Sequence, residues 1–482
     1  MFWWQSTSLL KEIEILKRTN EELVRQLESA NRKLEAATQK IAELEHKLEQ
    51  ANRDSTNSSK PPSSDGLQAE KRVHPQRKKG QRKPGGQPGH TGAFRRLVPT
   101  EQVQKVVHIR PSICSNCGTK FQGEEPGKMH HRHQVTELPP TMAEITEFQC
   151  WQVDCPACGT RNRGELPTEH RSAFGPRLVA WITWLTVQGR MPRRVLESML
   201  ETMLSVPISL GRIQGSVEEA SVAVESVYQE LQNELPQQEV LNVDETGWKT
   251  NGNRRWMWAF IAARYVFYWL DPSRGKKVLQ NLLGETFAGV LCTDRWTVYL
   301  SYHRGDAQLC WAHLKRDLLG ILETSENKEA TRFARQSLAL VLRLFRLWHR
   351  YRGNSLDREE LQEKALKIEK KLFSLAQEQV NSPCAEVRCL ARVFFLKTEK
   401  LFEFAHRTGV EPTNNQAERA LRMAVQWRKI SFGNRSEAGE KATSRLLTVL
   451  QTCKMQNRNS FQYLVEVIAC NRRNLPTPSL LS

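Results

Sequence analysis

Two pairs of cysteines carry the most specific chemistry in this sequence. Cys114 and Cys117 enclose two residues, Cys155 and Cys158 do the same, and a glycine follows the second cysteine of each pair. Each pair presents two thiolates from one tight turn, and four thiolates arranged in this way suit a tetrahedral zinc ion. Such a closed site has no open position, so the predicted Zn²⁺ is structural and contributes to folding.

Other residues near these turns could replace one of the four ligands. They are Cys150 and the histidines His130, His131 and His133. We expect Cys150 to pack and the histidines to be exposed. Eleven cysteines in a chain of 482 residues do not form a disulfide scaffold. The paired spacing therefore favours reduced cysteines, a metal site and a reducing compartment.

Two aspartates stand where predicted strands end. Residues 240–243 form an apolar run before Asp244, and residues 290–293 form another before Asp294. Side chains at the ends of neighbouring strands can meet across a sheet. Taken alone, both aspartates could instead be helix caps or turn residues.

A third acid, Glu418, lies near the start of a predicted helix that opens at residues 412–415 and also carries Arg419 and Arg422. Glu418 follows Asn415 by three residues, so it could be the partner in a capping box. The spacing alone leaves a structural role and a chemical role open.

The charge balance indicates a polyanionic partner. Lysine and arginine total 71 against 53 aspartates and glutamates, which gives a formal charge of +18. This excess favours nucleic acid over an anionic membrane. No apolar run approaches the ~18 residues of a membrane span, and the first residues lack the ordered regions of a secretory signal. Secreted, membrane and wholly disordered classes are therefore excluded.

The strongest basic stretch lies between Lys71 and Arg96, with nine lysines and arginines and no acid. It follows a segment rich in serine, asparagine and proline, and its Gly-Gly-Gln-Pro-Gly-His sequence predicts a flexible loop. A solubilising tail is the alternative to a contact with the DNA backbone. The candidate DNA-binding residues are Arg77, Lys78, Lys79, Arg82 and Lys83.

Cys310 and His313 are three residues apart and suggest a metal site at first sight. Zinc there would need two further ligands. We therefore expect a structural role for this motif, with His313, Lys315 and Arg316 near DNA phosphates.

The first segment predicts a coiled coil. From Leu9 to Ala51 a heptad repeats six times with Leu, Ile and Ala at its two core positions, and charged residues stand between them. Asn20 occupies a core position, where a polar residue fixes the register. A long solvated helix is the alternative, but a narrow apolar stripe needs a partner helix. We expect a homo-oligomer, in the simplest case a dimer.

Residues 175–235 predict short helices joined by tight turns. Pro176 stands at a first-turn position, and Ser209 is placed to cap the third helix. This pattern fits a helix-turn-helix DNA reader and an ordinary helical bundle equally well.

The last large region predicts strands and then helices. Aromatic runs over residues 256–262 and 265–270 predict an antiparallel hairpin. Residues 325–405 are periodic in apolar residues and predict helices, including residues 334–348 and 361–375.

Seven motifs, spread over nearly the whole chain, resemble those of the DDE transposases of the insertion sequence 66 family. In chain order they are Asn57–Asp65, Gly85–His90, the two cysteine pairs, Val243–Trp248, Asp294–Trp296, Cys310–Arg316 and Asn414–Arg419. The resemblance implies an RNase H-like α/β catalytic core, interrupted by a helical insertion at 325–405. It also implies that Asp244, Asp294 and Glu418 are the three catalytic acids.

Together these patterns predict a multidomain α+β protein. The predicted parts are a coiled coil at 1–52, a flexible basic linker at 53–100, a zinc ribbon at 101–170, a helical DNA-binding region at 171–235, the catalytic core at 236–470 and a tail at 471–482.

The chemistry implied by the resemblance explains the need for acids. Cutting a phosphodiester and joining its 3′ end elsewhere is an in-line displacement at phosphorus, which two Mg²⁺ ions (or Mn²⁺) about 4 Å apart assist. Mg²⁺ prefers oxygen ligands. Asp244 is expected to bridge both ions, while Asp294 and Glu418 each hold one.

The resemblance favours a transposase that binds transposon ends, with target DNA and small accessory proteins of the same element as further partners. One alternative is a DNA-binding regulator without catalysis, and the other is an RNase H-like nuclease that cuts without joining. Reduced cysteines, no signal and a DNA substrate predict a bacterial cytoplasmic, nucleoid-associated location.

Overall fold

The computed structural model describes residues 22, 26–30, 33, 97–123, 126, 128–136, 143–158 and 160–481. The predicted coiled coil falls almost entirely outside them, although residues 26–30 are helical and Leu27 is 66% exposed. The basic linker is described only from Leu97 onward. Its candidate DNA-binding residues therefore lie outside the described residues, namely Arg77, Lys78, Lys79, Arg82 and Lys83.

The described residues divide into two units. The first unit comprises the described residues within Met1–Lys71, Gln149–Leu196 and Ser209–Ser482. The second unit comprises the described residues within Arg72–Phe148 and Glu197–Ile208. No helix among the described residues is long and apolar enough to cross a membrane. The mixed α+β architecture predicted from the sequence is confirmed in the first unit, which contains both a helical region and a mixed sheet.

The first strands form a small antiparallel hairpin, β1 (Gln152–Asp154) and β2 (Arg161–Arg163). Four helices follow it, α1 (Pro176–Val187), α2 (Arg193–Leu204), α3 (Leu210–Ala223) and α4 (Glu225–Asn233). Pro176 begins α1, and the hydroxyl of Ser209 accepts from the Arg212 amide at 3.3 Å, so both predicted helix-start signals are confirmed. The helix-turn-helix interpretation stays a prediction.

A five-stranded sheet forms the centre of this unit. Its strands are β3 (Val240–Thr250), β4 (Asn253–Ile261), β5 (Val266–Asp271), β6 (Val290–Thr293) and β7 (Ala307–Leu309), in the spatial order β5-β4-β3-β6-β7. Helices α5 (Lys276–Leu283) and α6 (Thr297–Tyr302) connect these strands. Strands β3, β6 and β7 run parallel, whereas β4 is antiparallel to both of its neighbours. The predicted aromatic hairpin is β4 and β5.

One expectation about the sheet was wrong. Asp244 was expected at a strand end, but β3 continues through it to Thr250. The reason is that β4 pairs with β3 from Asn242 to Thr250, whereas β6 accompanies it only from Val240 to Asn242. Asp244 therefore lies inside a strand, just past the point where its parallel neighbour stops.

Helices predominate over residues 311–406, a stretch that includes the predicted helical insertion at 325–405. They are α7 (Trp311–Thr324), α8 (Lys328–Arg352), α9 (Arg358–Gln377), α10 (Ala385–Leu396) and the short α11 (Glu403–His406). Asp357 and Glu360 form a capping box at the start of α9. These helices bury a hydrophobic cluster of their own that includes Trp311, Phe394 and Phe404.

The last three helices return to the sheet. They are α12 (Asn415–Ser431), α13 (Glu437–Met455) and α14 (Ser460–Arg472). Helix α13 covers the edge strand β5 through two buried hydroxyls. Thr452 Oγ1 accepts from the Val266 amide at 3.1 Å, and Thr448 Oγ1 accepts from the Tyr268 amide at 2.9 Å. These bonds satisfy edge amides that would otherwise be unpaired.

We expect Thr448→Val to lower the free energy of unfolding by about 1–3 kcal/mol, because the isosteric side chain leaves the buried Tyr268 amide without its acceptor. Thr186→Val is the matched control. Its hydroxyl is also buried, but it only donates to the Ile182 carbonyl within α1. Denaturant unfolding of both variants measures the difference. Equal losses would contradict the role given to the edge bond.

Candidate catalytic centre

The parallel pairing of β3 and β6 brings the two aspartates side by side. The paired residues run from Val240 with Val290 to Asn242 with Cys292. Two residues further along each chain, this register places Asp244 level with Asp294. Each carboxylate accepts one local backbone bond. Asp244 Oδ1 accepts from the Glu245 amide at 2.9 Å, and Asp294 Oδ1 accepts from the Trp296 amide at 2.8 Å.

Glu418 reaches the same place because the start of α12 is tied to β3. The side-chain amide of Asn414, the residue before α12, donates to the Val243 carbonyl at 2.8 Å. The Trp311 amide at the start of α7 donates to the Pro412 carbonyl at 3.0 Å. Since Glu418 lies in the first turn of α12, these bonds bring its carboxylate toward Asp244.

The pKa of Asp244 reflects the closeness of the other carboxylates. Burial raises the pKa of its carboxyl well above the usual value. The negative charges of Glu245, Asp294 and Glu418 raise that pKa further. The hydrogen bond from the Glu245 amide lowers the pKa, but by less than the charge of either Glu245 or Asp294 raises it. All three sequence-predicted acids therefore lie close enough to interact. Such crowding of carboxylates is the electrostatic environment of a cation site.

A fourth acid, Glu245, was not predicted. Its carboxylate accepts from Arg274 at 2.6 and 2.9 Å and from the Tyr299 hydroxyl. The guanidinium of Arg274 also stacks on Trp256, at 4.6 Å from the ring centroid, and on Trp296, at 4.0 Å. The side chain of Glu245 is only 2% exposed, and burial raises its pKa although Tyr299 and Arg274 lower it. Its position next to Asp244 was the only available sequence signal.

Glu418 does not take part in a capping box. Asn414 rather than Asn415 precedes α12, and its side chain makes no cap bond. The carboxylate of Glu418 instead accepts from Arg316 Nη2 at 2.9 Å. His313 Nε2 lies 3.8 Å from the same oxygen. Two of the three residues expected near DNA phosphates, His313 and Arg316, thus face a predicted catalytic acid.

Three ligand atoms of different types meet at this point. The Cys310 thiol, a ring nitrogen of His313 and a carboxylate oxygen of Glu418 all lie within 4.8 Å of one another. Cys310 and His313 alone lack two of the four ligands of a zinc site, and the fold supplies one of them in Glu418. Burial, and then the charge of Arg316, lower the pKa of His313, so its imidazole is neutral near pH 7.

Two predicted DNA contacts lie on the outer face of α12. Arg419 and Arg422 are exposed and three residues apart, so they point in the same direction. Lys315, in α7, is half-buried.

The two cysteine turns have the same local design. The Cys114 amide donates to the Thr119 carbonyl at 2.8 Å, and the Cys155 amide donates to the Thr160 carbonyl at 2.9 Å. Gly118 adopts φ +74°, a backbone conformation that side chains rarely take and that closes the first turn. A zinc ion shared by all four thiols stays a prediction, because the two turns belong to different units.

The pKa of the second cysteine of each turn is lowered by a neighbouring threonine. Thr119 contacts the Cys117 thiol at 3.2 Å and is the main cause that lowers its pKa to about 7. Cys158 Sγ lies 3.2 Å from Thr160 Oγ1, and a hydrogen bond from that hydroxyl to the thiolate is the main cause that lowers the pKa of Cys158. Readily formed thiolates suit metal binding.

One expectation near these turns was wrong. Cys150 was expected to pack, but it is exposed, as are His130, His131 and His133. The reason is local, because residues 143–150 form an extended stretch in which every residue is exposed.

Comparisons with known proteins show the family of this chain. Residues 171–442 match the model of the transposase IS66 family, and residues 7–96 match a family of unknown function (DUF6444). The "Uncharacterized protein y4qI" of Sinorhizobium fredii (strain NBRC 101917 / NGR234) is 27% identical over 239 residues, which are 45% of this chain and 43% of that protein. This chain therefore matches less than half the length of that relative. The region matched by the IS66 model contains Asp244, Asp294 and Glu418. Because this region covers more than half of the chain, this protein belongs to the IS66 family of transposases.

Proposed function

We propose that this protein cuts transposon ends and joins them to target DNA, with Asp244, Asp294 and Glu418 as its catalytic acids in an RNase H-like core. The observation that carries the proposal is the convergence of these three acids. They come from two parallel strands and one helix, and the charges of the other two raise the pKa of Asp244. The mixed sheet, with its parallel side at the acids, supports the proposed core.

The acids fit divalent metal ions. Carboxylate oxygens are the ligands that Mg²⁺ and Mn²⁺ prefer. The pKa of Asp244 is raised first by burial and then by the negative charges of neighbouring carboxylates. Asp244, Asp294 and Glu418 would hold these ions, with Asp244 contributing to both, Asp294 to one and Glu418 to the other. When bound there, the ions would supply activation of the attacking oxygen and stabilisation of the leaving oxygen.

Other residues of the chain prepare the site. Arg316 neutralises Glu418 in the metal-free protein. The bonds of Arg274 and Tyr299 to Glu245 tie β3 to the loop after β5 and to α6. Arg419 and Arg422 are free to contact DNA phosphates on the exposed side of α12. Lys315 is a third candidate contact.

The remaining parts of the chain support this function. We assign oligomerisation to the coiled coil at 1–52 and backbone contacts with DNA to the linker at 53–100. The nine cations between Lys71 and Arg96 in this linker could each displace a counterion. The four-cysteine Zn²⁺ is structural. Accessory proteins of the same element and a nucleoid-associated location belong to the same proposal.

Metal removal tests the proposed reaction. The full chain is incubated with a labelled duplex that carries the element's end, first with EDTA and then with excess Mg²⁺. We expect nicked and joined products only after Mg²⁺ is added, whereas duplex binding persists in EDTA. Products that are cut but never joined would favour the nuclease. Binding without any product in Mg²⁺ or Mn²⁺ would favour the regulator.

A further inference from the structure

The cluster of Cys310, His313 and Glu418 contains a thiol and an imidazole that the proposed reaction does not use, beside the carboxylate of Glu418 that it does use. Cys310 directly precedes α7 and is only 1% exposed, His313 lies in the first turn of α7, and Glu418 lies in the first turn of α12. A thiol, an imidazole and a carboxylate within 4.8 Å of one another are the three types of ligand that zinc takes in proteins. Mg²⁺, which requires oxygen, cannot use two of them.

Backbone bonds hold the cluster in place. The Cys310 amide donates to the Thr293 carbonyl at 2.9 Å, so the thiol is anchored to the end of β6. The Asn414 amide donates to the Cys310 sulfur at 3.2 Å, which joins the same thiol to the start of α12. The thiol of the cluster is therefore fixed by the backbone of β6 and of the segment before α12.

The imidazole has a nitrogen available for a ligand. His313 Nδ1 is buried and has no hydrogen-bond partner among the described residues. His313 Nε2 is 3.8 Å from Glu418 Oε1, which is too long for a hydrogen bond. A buried nitrogen without a partner is costly unless a proton donor or a metal ion satisfies it.

We propose that Cys310, His313 and Glu418 form a binding site for a thiophilic divalent cation, Zn²⁺, which excludes the catalytic metal ions because it withdraws Glu418 from Asp244 and Asp294. The exclusion rests on the proposed function, whereas the binding does not. A tetrahedral zinc ion spaces its ligand atoms by roughly 3.5 Å, so the side chains close in by about one ångström. Arg316 leaves Glu418, and the Cys310 thiol gives its proton to solvent as the metal–sulfur bond forms.

Cadmium absorbance tests the binding. The full chain is first saturated with Zn²⁺ and dialysed, so that the paired cysteines hold their metal, and Cd²⁺ is then titrated while the ultraviolet thiolate-to-cadmium band is recorded. If the cluster already holds Zn²⁺ tightly, Cd²⁺ replaces that ion and the cadmium band grows as the exchange proceeds. We expect a component equal to one thiolate per chain that Cys310→Ser removes. His313→Gln, which keeps the thiol, should weaken Cd²⁺ binding at least tenfold.

Cys292→Ser is the matched control, because Cys292 is equally buried and lies near Cys310 but outside the cluster. The control should keep the component. Circular dichroism and thermal unfolding show whether each variant is folded. If folded Cys310→Ser and His313→Gln give the wild-type titration, the proposed site is wrong.

A second measurement separates the site from the reaction. We expect Asp294→Asn to keep the cadmium component, because Asp294 is not one of its ligands. Micromolar Zn²⁺ should inhibit strand cleavage in Mg²⁺ by the wild type at least tenfold more than by Cys310→Ser, each relative to its own zinc-free rate. Equal inhibition would overturn the exclusion. If no cleavage occurs at all, the proposed function fails while the absorbance still decides whether the site exists.

Discussion

Asparagine in place of Asp294 is expected to lower strand cleavage and joining on the order of 10³-fold or more, because the amide keeps the shape of the side chain but loses the charge that holds a metal ion. Binding of the end duplex should persist. Cleavage of the labelled duplex in Mg²⁺ measures the loss. The matched control is Asp306→Asn, which removes an exposed carboxylate paired with Arg407 and should cleave at the wild-type rate.

Asp244→Asn should lower the rate of strand cleavage by as much as Asp294→Asn does. Unlike most substitutions of buried residues, it should also stabilise the metal-free protein against unfolding. The folded state binds the Asp244 proton more tightly than the unfolded state, because burial and neighbouring carboxylates raise its pKa. The wild type therefore loses stability as pH rises from the unfolded pKa of about 3.9 through the raised folded pKa. Asparagine does not titrate and escapes this loss.

Thermal unfolding in EDTA across pH checks this second effect. The melting temperature of Asp244→Asn should exceed that of the wild type by a few degrees at neutral pH, and the gap should narrow as the pH falls. Mg²⁺ should raise the melting temperature of the wild type but not that of the variant. A variant that cleaves normally would remove the catalytic assignment. A variant less stable than the wild type at neutral pH would contradict the electrostatic account.

Arg274→Ala should cost about 2–4 kcal/mol of unfolding free energy. It leaves the carboxylate of Glu245 buried with only Tyr299 as its partner, and removing one partner of a buried ion pair is costly. The figure is at the low end because the Arg274 side chain is 40% exposed. Loss of stacking on Trp256 and Trp296 is included in it. Denaturant unfolding at neutral pH measures the change.

Two comparisons isolate the ion pair from the stacking. Arg254 stacks on Trp256 at 4.6 Å, so Arg254→Ala should cost only about 0.5–1 kcal/mol. Adding Glu245→Gln to Arg274→Ala should recover part of the loss, because the remaining side chain is neutral. A double variant no more stable than Arg274→Ala would show that the unpaired charge of Glu245 is not what destabilises Arg274→Ala.

Local patterns in the sequence determined most of the elements. The aromatic runs predicted the β4–β5 hairpin because alternation and β-rich composition act within one segment. Pro176 and Ser209 marked helix starts because they act on the first turn. The cysteine spacing likewise predicted two tight turns. The catalytic role of the three acids was predicted only because the motifs that contain them resemble those of a known family.

Tertiary structure alone decided how these elements meet. Asp244 lies within a strand because pairing with β4 continues after β6 has ended. Arg316 reaches Glu418 across 102 residues of chain, and Asn414 reaches Val243 across 171. Contacts between residues so far apart leave no periodic signal. The same holds for the fourth acid, Glu245, whose partner Arg274 arrives from the loop after β5.

The sequence by itself thus determined which residues are capable of chemistry, because side-chain type and local spacing are properties of the chain. The structure decided their electrostatic state. Burial and approaching charges raise the pKa of Asp244 and lower that of His313. It also decided that Glu418 lies close enough to interact with Asp244 and, in addition, within 4.8 Å of Cys310 and His313. Both outcomes depend on distances through space, which the order of residues does not encode locally.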